Sequence, residues 1–366
     1  MEMQENIELK PYTSLYVGGP ARYFSVVTSI DQIKEALSFA RDKGLSHFII
    51  GGGSNIVISD LGFEGLVIKI AIPGVTVVNE DSESVCFQVG AGESWDGFVK
   101  YVVGIGLYGI ENLSHIPGTV GASVVQNIGA YGQEVSNYVT SIKVLDVKTL
   151  EEKTLNKEGL DFSYRRSCLN DNAKDKGKYV VSSVNFKLMK NGELNTKYDD
   201  IKKYFEKYPE KTMTLQTIRE AIVEIRNRKF PFPDSPEHGT AGSFWNADVI
   251  DDITYENIIM KLGEMGFTDK AQYMIDKKNA FTVSQGLKVP YGFLVEVLGF
   301  KGKIVGGVKI LETHSGVINN FSGRGPAKDV MSLSSEVVTK IKDTFGISLR
   351  VEPELVGDFD GLSKIF

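Results

Sequence analysis

The stretch Phe48-Ile49-Ile50-Gly51-Gly52-Gly53-Ser54-Asn55 runs from three apolar, strand-forming residues straight into a glycine turn. Upstream, residues 31–43 have helical spacing, with Ser29 or Asp31 as the cap and Gly44 past the end, and residues 23–27 read as a strand. Downstream, Leu66-Val67-Ile68-Lys69-Ile70 is a further strand signal. The pattern is β-α-β with a glycine turn after a buried strand. Without Cβ atoms such a turn lets the backbone approach a diphosphate, and its consecutive N–H groups can form an anion-binding nest. It is neither a Walker A loop nor the spaced glycine fingerprint of a Rossmann site. Taken alone, the run fits a flexible, unliganded β-turn better.

A second run lies further along: Ile116-Pro117-Gly118-Thr119-Val120-Gly121-Ala122, then Gln126-Asn127-Ile128-Gly129-Ala130-Tyr131-Gly132. Its small, uncharged residues suit backbone packed against a large, partly apolar ligand; a tight domain junction is the other reading. Around it the signals are strands at 84–89, 141–147 and 180–186, and a helix at 95–103. A polar, Lys-rich junction spans 191–211, and its stretch from Lys202-Lys203 to Lys211 is expected as a solvated face. An amphipathic helix follows at 214–228, with Ile218, Ile222 and Ile225 on one side, and Pro231 and Pro233 end it. Residues 327–345 read as the last helix and 351–356 as a closing strand. The fold class is α+β, in two or three domains.

Composition narrows the partners. The 366 residues carry a net charge of −6, which leaves no basic field for a nucleic acid. Cys86 and Cys168 are the only cysteines, so no disulfide framework is expected. No uncharged apolar run nears the roughly 20 residues of a membrane span, and the N-terminus lacks signal-peptide character. A cytoplasmic location and a monomer are expected. Four scattered histidines and two distant cysteines give no metal-ligand spacing.

Several further motifs stand in order along the chain. They are Thr13-Ser14-Leu15 with Gly18-Gly19-Pro20-Ala21, and Gly109-Ile110-Glu111-Asn112-Leu113-Ser114 leading into the second glycine run. After these come Ser163-Tyr164-Arg165-Arg166-Ser167, Gly242-Ser243-Phe244-Trp245, Phe300-Lys301-Gly302 and Glu352-Pro353-Glu354. Together with the two glycine runs, this series resembles the UDP-N-acetylenolpyruvoylglucosamine reductases nearly end to end. The resemblance implies a vanillyl-alcohol-oxidase-type FAD-binding fold of two subdomains plus an α+β substrate-binding domain. The boundaries it suggests are 1–73 and 74–230 for the FAD subdomains, the second joined by a C-terminal strand at 346–366, and 231–345 for the substrate domain. It also implies that NADPH reduces bound FAD, which then passes hydride to C3 of UDP-N-acetylglucosamine enolpyruvate, giving UDP-N-acetylmuramate for peptidoglycan.

By this resemblance the cofactor residues are Gly51, Gly52, Gly53, Ser54, Asn55, Ile116, Pro117, Gly118, Thr119, Gly121, Ala122, Asn127, Gly129, Ala130, Tyr131 and Gly132. The substrate is an enol ether conjugated to a carboxylate, so hydride addition at C3 builds charge at C2 and on the carboxylate. Catalysis then needs a cation on the carboxylate and an acid beside C2. Arg165 matches the first need, since a planar guanidinium can grip a carboxylate with two parallel hydrogen bonds; Arg166 replaces an acidic residue common there. Ser243 matches the family's proton donor. Glu354 matches its third catalytic member, although Glu352 would share a face with it on a regular strand. Tyr164, Tyr198, Lys229, Asn246 and His314 are the implied substrate contacts. Ala247 stands where the family carries a nucleotide-sugar Asn, so Asn246 is the candidate substitute.

Two other readings remain at this point. Another FAD oxidoreductase of the same superfamily, acting on a sugar, lactone or alcohol, would share the glycine turns without needing Arg165, Ser243 and Glu354. A flavin-binding protein without catalysis would tolerate the change at Ala247.

Overall fold

The strand, helix and strand around the first glycine turn form as the pattern requires. The computed structural model describes residues 1–170, 175–283, 286–359 and 361. His47–Ile50 and Pro20–Val27 lie parallel to and on either side of Phe63–Ile70, and Gln4–Glu8 adds an antiparallel edge. Helix α1 (Ile30–Asp42) is capped by Ser29, whose hydroxyl accepts the Gln32 N–H at 3.3 Å. Its buried Ile33, Ala36, Leu37 and Ala40 share a core with Leu66 and Ile68.

The described residues divide into two units whose segments alternate along the chain. Unit 1 comprises Met1–Glu8, Pro20–Ser54 and Phe63–Phe232; unit 2 comprises Leu9–Gly19, Asn55–Gly62 and Pro233–Phe366. Unit 1 holds a second, antiparallel sheet, ordered Glu152–Asn156, Val139–Asp146, Tyr179–Met189, Ser84–Gly90, Val75–Glu80. Helix α2 (Trp95–Gly104) joins its core through Trp95 and Phe98, whose rings meet Phe186 at 6.0 and 5.1 Å. A short helix, α3 (Val120–Val125), interrupts the second glycine run.

The Lys-rich junction is more ordered than its charge suggests. Residues Asp199–Lys207 form helix α4, and Ile201, Tyr204 and Phe205 are buried on one side of it. They pack with Ile218, Ala221, Ile222 and Ile225 of α5 (Leu215–Lys229) and with Tyr131. The lysines occupy the other side, so the solvated face is half of an amphipathic helix.

In unit 2, Gly239–Ser243, Val317–Asn320, Val308–Ile310 and Ile304–Val305 form an antiparallel sheet in that order. Helices α6 (Asp252–Glu264), α7 (Thr268–Phe281), α8 (Tyr291–Val297) and α9 (Ala327–Phe345) complete it. The expected closing strand is broken in two. Leu349–Val351 pairs with Trp245–Ala247, whereas Glu354–Val356 runs parallel to Ile56–Ile58. Pro353, which has no N–H to give a ladder, sits at the break. Of the segment 346–366, residues 360 and 362–366 lie outside the described residues. No helix among the described residues is long and apolar enough to cross a membrane.

Candidate active site

In unit 1 the two glycine runs cross each other. A Cβ added to Gly52 would collide with the Cα of Gly118, so the chains meet backbone to backbone. A Cβ on Gly51 would stand 2.7 Å from Thr119 Oγ1 and 3.1 Å from the Ala122 Cβ. The N–H groups of Gly52, Gly53 and Ser54 have no protein acceptor among the described residues. The Thr119 hydroxyl is buried and equally without a partner. Buried donors are normally satisfied. A row of open N–H groups beside an orphaned hydroxyl therefore fits an anionic group such as the diphosphate of FAD. Lys69 anchors the start of the turn by donating to the Gly51 carbonyl, and burial pulls its pKa below the usual lysine range. Ile116 and Pro117 lead into the crossing half-buried, and Gly121 packs on Ala91.

Beyond α3 the chain makes a hairpin in which Gly129–Ala130 pairs with Gln133–Glu134. Its tip residues Tyr131 and Gly132 have φ of 47° and 78°, the left-handed pair that a type I′ turn needs. Asn112 steadies the tip, its Nδ2 donating to Tyr131 O at 2.9 Å. Asn127 is fully buried and its carboxamide is engaged by protein groups: Nδ2 donates to Ser163 O at 2.8 Å, and Oδ1 accepts the Ser136 N–H at 3.2 Å.

Arg165 also sits at a hairpin tip. Ser163 and Arg166 exchange two backbone hydrogen bonds of 3.0 Å, leaving Tyr164 and Arg165 as the turn. The Arg165 guanidinium lies 5.3 Å from the centre of the exposed Tyr164 ring, and Arg166 is exposed. Tyr198 precedes α4 and meets Tyr131 edge-on at 5.3 Å. Lys229 ends α5, its Nζ 2.6 Å from Asp200 Oδ2 and 6.0 Å from the Tyr131 ring centre. Unit 1 thus gathers Tyr131, Tyr198 and Lys229 into one cluster.

Ser243, Asn246, Glu354 and His314 all belong to unit 2, the first three on separate short strands and His314 in the turn before Val317–Asn320. The register of Gly239–Ser243 slips by one residue between Thr240 and Ser243, and Gly242 in this bulge has φ +71°. The bulge turns Ser243 outward, leaving it exposed beside buried Phe244. Phe244 O accepts the Glu352 N–H at 3.0 Å, and Trp245 pairs with Val351. Past Pro353, Glu354 is exposed and its N–H goes to Asn55 O at 2.9 Å. The break thus gives Glu352 and Glu354 different backbone partners, so they do not share one regular strand face. His314 closes the turn before Val317, with Nδ1 accepting the Gly316 N–H at 3.3 Å. Asn246 pairs with Arg350, whose guanidinium meets Asp248 at 2.6 Å.

Residues 21–149, which contain both glycine runs, match the FAD binding domain family model. Residues 234–356 match the model of the UDP-N-acetylenolpyruvoylglucosamine reductase C-terminal domain. The UDP-N-acetylenolpyruvoylglucosamine reductase of Flavobacterium johnsoniae is 33% identical, over 97% of this chain and 100% of that one. The enzyme of the same name from Ralstonia nicotianae is 35% identical, over 92% and 93%. This chain belongs to the UDP-N-acetylenolpyruvoylglucosamine reductase family. The crystal structure of the Thermus caldophilus reductase superposes with a TM-score of 0.62 at 23% identity, covering 97% of this chain and 98% of that one. That likeness shows that the α+β, FAD-binding fold is shared.

Other residues of this family member emerge only from the structure. Half-buried Arg226 of α5 donates through Nε to His115 O at 2.8 Å. Burial lowers its pKa, opposed by Tyr131 and Asp96 and reinforced by the like charge of Arg165. Burial pushes the Tyr131 hydroxyl up to about 12, against the pull of Arg226. Two helical turns earlier, Arg219 grips Asp96 with two bonds of 2.7 and 2.8 Å, and Asp96 Oδ1 accepts the His115 N–H at 2.5 Å. Arg219 and Arg226 are seven residues apart, two helical turns, flanking the apolar stripe of α5. That spacing was the available signal.

Proposed function

We propose that this chain reduces UDP-N-acetylglucosamine enolpyruvate to UDP-N-acetylmuramate, a step of peptidoglycan precursor synthesis, as an FAD-dependent oxidoreductase with NADPH as hydride donor. The observation that carries this reading is the family match over nearly the whole chain. A cytoplasmic, monomeric enzyme serving cell-wall biogenesis, and so cell shape and division, is the setting that accompanies it. The FAD subdomains are assigned to 1–73 and to 74–230 with the C-terminal strand at 346–366, and the substrate domain to 231–345.

Gly51 to Ser54, Gly118 and Thr119 hold the diphosphate through backbone N–H groups and a hydroxyl. When bound, FAD supplies hydride relay from NADPH to C3 of the enolpyruvyl group. Arg165 binds the substrate carboxylate and stabilises the charge that grows there as C3 is reduced. Ser243 gives its hydroxyl proton to C2. A serine is a weak acid, and it serves because the C2 carbanion is a strong base held close. Glu354 is the third member of this set and acts at the same end of the substrate. Tyr164, Tyr198, Lys229, Asn246 and His314 position the sugar nucleotide, with Lys229 directed at a phosphate.

The test separates the two half-reactions. Purified protein is expected to be yellow, to bleach with NADPH, and to regain colour on adding the enolpyruvyl UDP-sugar. Ser243→Ala should bleach normally and recover its colour slower by orders of magnitude. Bleaching by a sugar or alcohol in place of NADPH, or an unchanged recovery rate in the variant, overturns the reaction or the role of Ser243 respectively.

A further inference from the structure

The Arg165 backbone stands at φ 58°, a conformation that side chains disfavour and that turns of this kind usually assign to Gly or Asn. Its neighbours Ser163, Tyr164 and Arg166 are exposed. Two asparagine carboxamides grip the turn from the inside. Asn127 donates from Nδ2 to Ser163 O at 2.8 Å, where the turn begins. Asn170 donates from Nδ2 to the carbonyl of Arg165 itself at 2.9 Å.

Both carboxamides are fixed at their other ends. Asn127 Oδ1 accepts the Ser136 N–H at 3.2 Å, and its Nδ2 also reaches Glu134 Oε2 at 3.2 Å. Asn170 Oδ1 accepts the Ser167 N–H at 3.3 Å, and its Nδ2 also reaches Gln126 Oε1 at 3.4 Å. Gln126 and Asn127 are consecutive and close the C-terminal end of α3, whose first turn follows Gly118-Thr119. The Arg165 turn is therefore tied, by two side chains, to the segment that also forms the glycine crossing. A carboxamide suits this task because it donates and accepts at once, whereas a carboxylate cannot donate to a carbonyl.

We propose that Asn127 and Asn170 are positioning residues for the reaction: they hold the Arg165 turn in its left-handed conformation and so aim the guanidinium at the substrate carboxylate. This rests on the reading of Arg165 given above. Asn170 acts through Arg165 and touches no substrate; Asn127, buried within the clamp, has its side chain engaged on all three of its contacts.

The experiment uses FAD-loaded full-length enzyme and measures both half-reactions in Asn170→Ala, Arg165→Ala and the double variant. In Asn170→Ala, reduction by NADPH should stay within about twofold, while reoxidation by the enolpyruvyl UDP-sugar slows about 10- to 100-fold at saturating sugar nucleotide. The loss should therefore fall on kcat and leave KM within about threefold. Because Asn170 acts through Arg165, the double variant should be no slower than Arg165→Ala alone. Wild-type reoxidation in Asn170→Ala, or a double variant whose losses multiply, overturns the positioning role. Wild-type reoxidation in Arg165→Ala overturns the reading of Arg165 instead. If Asn170→Ala loses flavin, the isosteric Asn170→Asp removes the same donor and is held to the same expectations.

Discussion

A methyl group on Gly52 has nowhere to go, because the Gly118 backbone already occupies the place. Overpacking of this kind typically costs about 1–3 kcal/mol, and here relief must come from spreading the two loops that form the cradle. Gly52→Ala is thus expected to purify with less than half the flavin content of the parent and to melt several degrees lower. Full flavin occupancy with an unchanged melting temperature would show that the crossing does not shape the cradle. At this scale the glycines were readable because several together leave few structural uses. Ser243 was readable only through the family, since a Gly-Ser pair is an ordinary turn until the bulge at Gly242 is seen. Asn170 left no comparable mark, since a lone Asn carries no period, and Arg226 left only its seven-residue spacing from Arg219, because its partner His115 is distant in sequence.

Periodic elements read best. α1, α5 and α9 follow from apolar spacing and caps, and the strands of the antiparallel sheet from β-branched runs. The failures have definite causes. In α4, Lys202, Lys203 and Lys207 outweighed a stripe of only three apolar residues, and Pro353 divided what alternation alone presents as one strand. Helix α5 also bears a pH-dependent contact. Burial pushes the Asp96 carboxyl up, but the Arg219 hydrogen bonds and the His115 N–H more than offset it, leaving it below the usual carboxylate range. A carboxyl depressed on folding stabilises above its unfolded pKa of about 3.9, and that contribution is lost as pH falls through the folded value. Arg219→Met leaves the burial without the guanidinium. It should cost about 2 kcal/mol at neutral pH, less than a fully buried pair because Asp96 is partly accessible. The gap between variant and parent should narrow as pH drops toward 4, followed by urea unfolding. A gap independent of pH would mean that Arg219 stabilises by packing its stem alone.

The chain crosses between the two units five times, and unit 2 is assembled from three separated segments. No shift of composition marks residues 9–19 or 55–62, so a linear reading has no reason to separate them from their surroundings. Their contribution to unit 2 is nonetheless large. Leu15, Val17 and Val57 lie in its core, and Ile56–Ile58 is the strand beside Glu354–Val356. Ser14 donates its hydroxyl to Thr240 O at 2.6 Å, and buried Asn320 donates to Leu15 O at 3.1 Å and Tyr16 O at 3.2 Å. Removing the two short segments would empty part of the core and leave these buried groups unsatisfied, at about 1–3 kcal/mol each. Against a net stability of roughly 5–15 kcal/mol for a whole domain, that loss is decisive. Residues 233–366 expressed alone should therefore show no cooperative thermal transition and poor amide dispersion by NMR. A single-chain fragment with 9–19 and 55–62 joined to 233–366 through glycine–serine linkers should recover both. Cooperative melting of 233–366 alone, near the temperature of the full chain, would mean that these short segments ride on unit 2 without helping to hold it together.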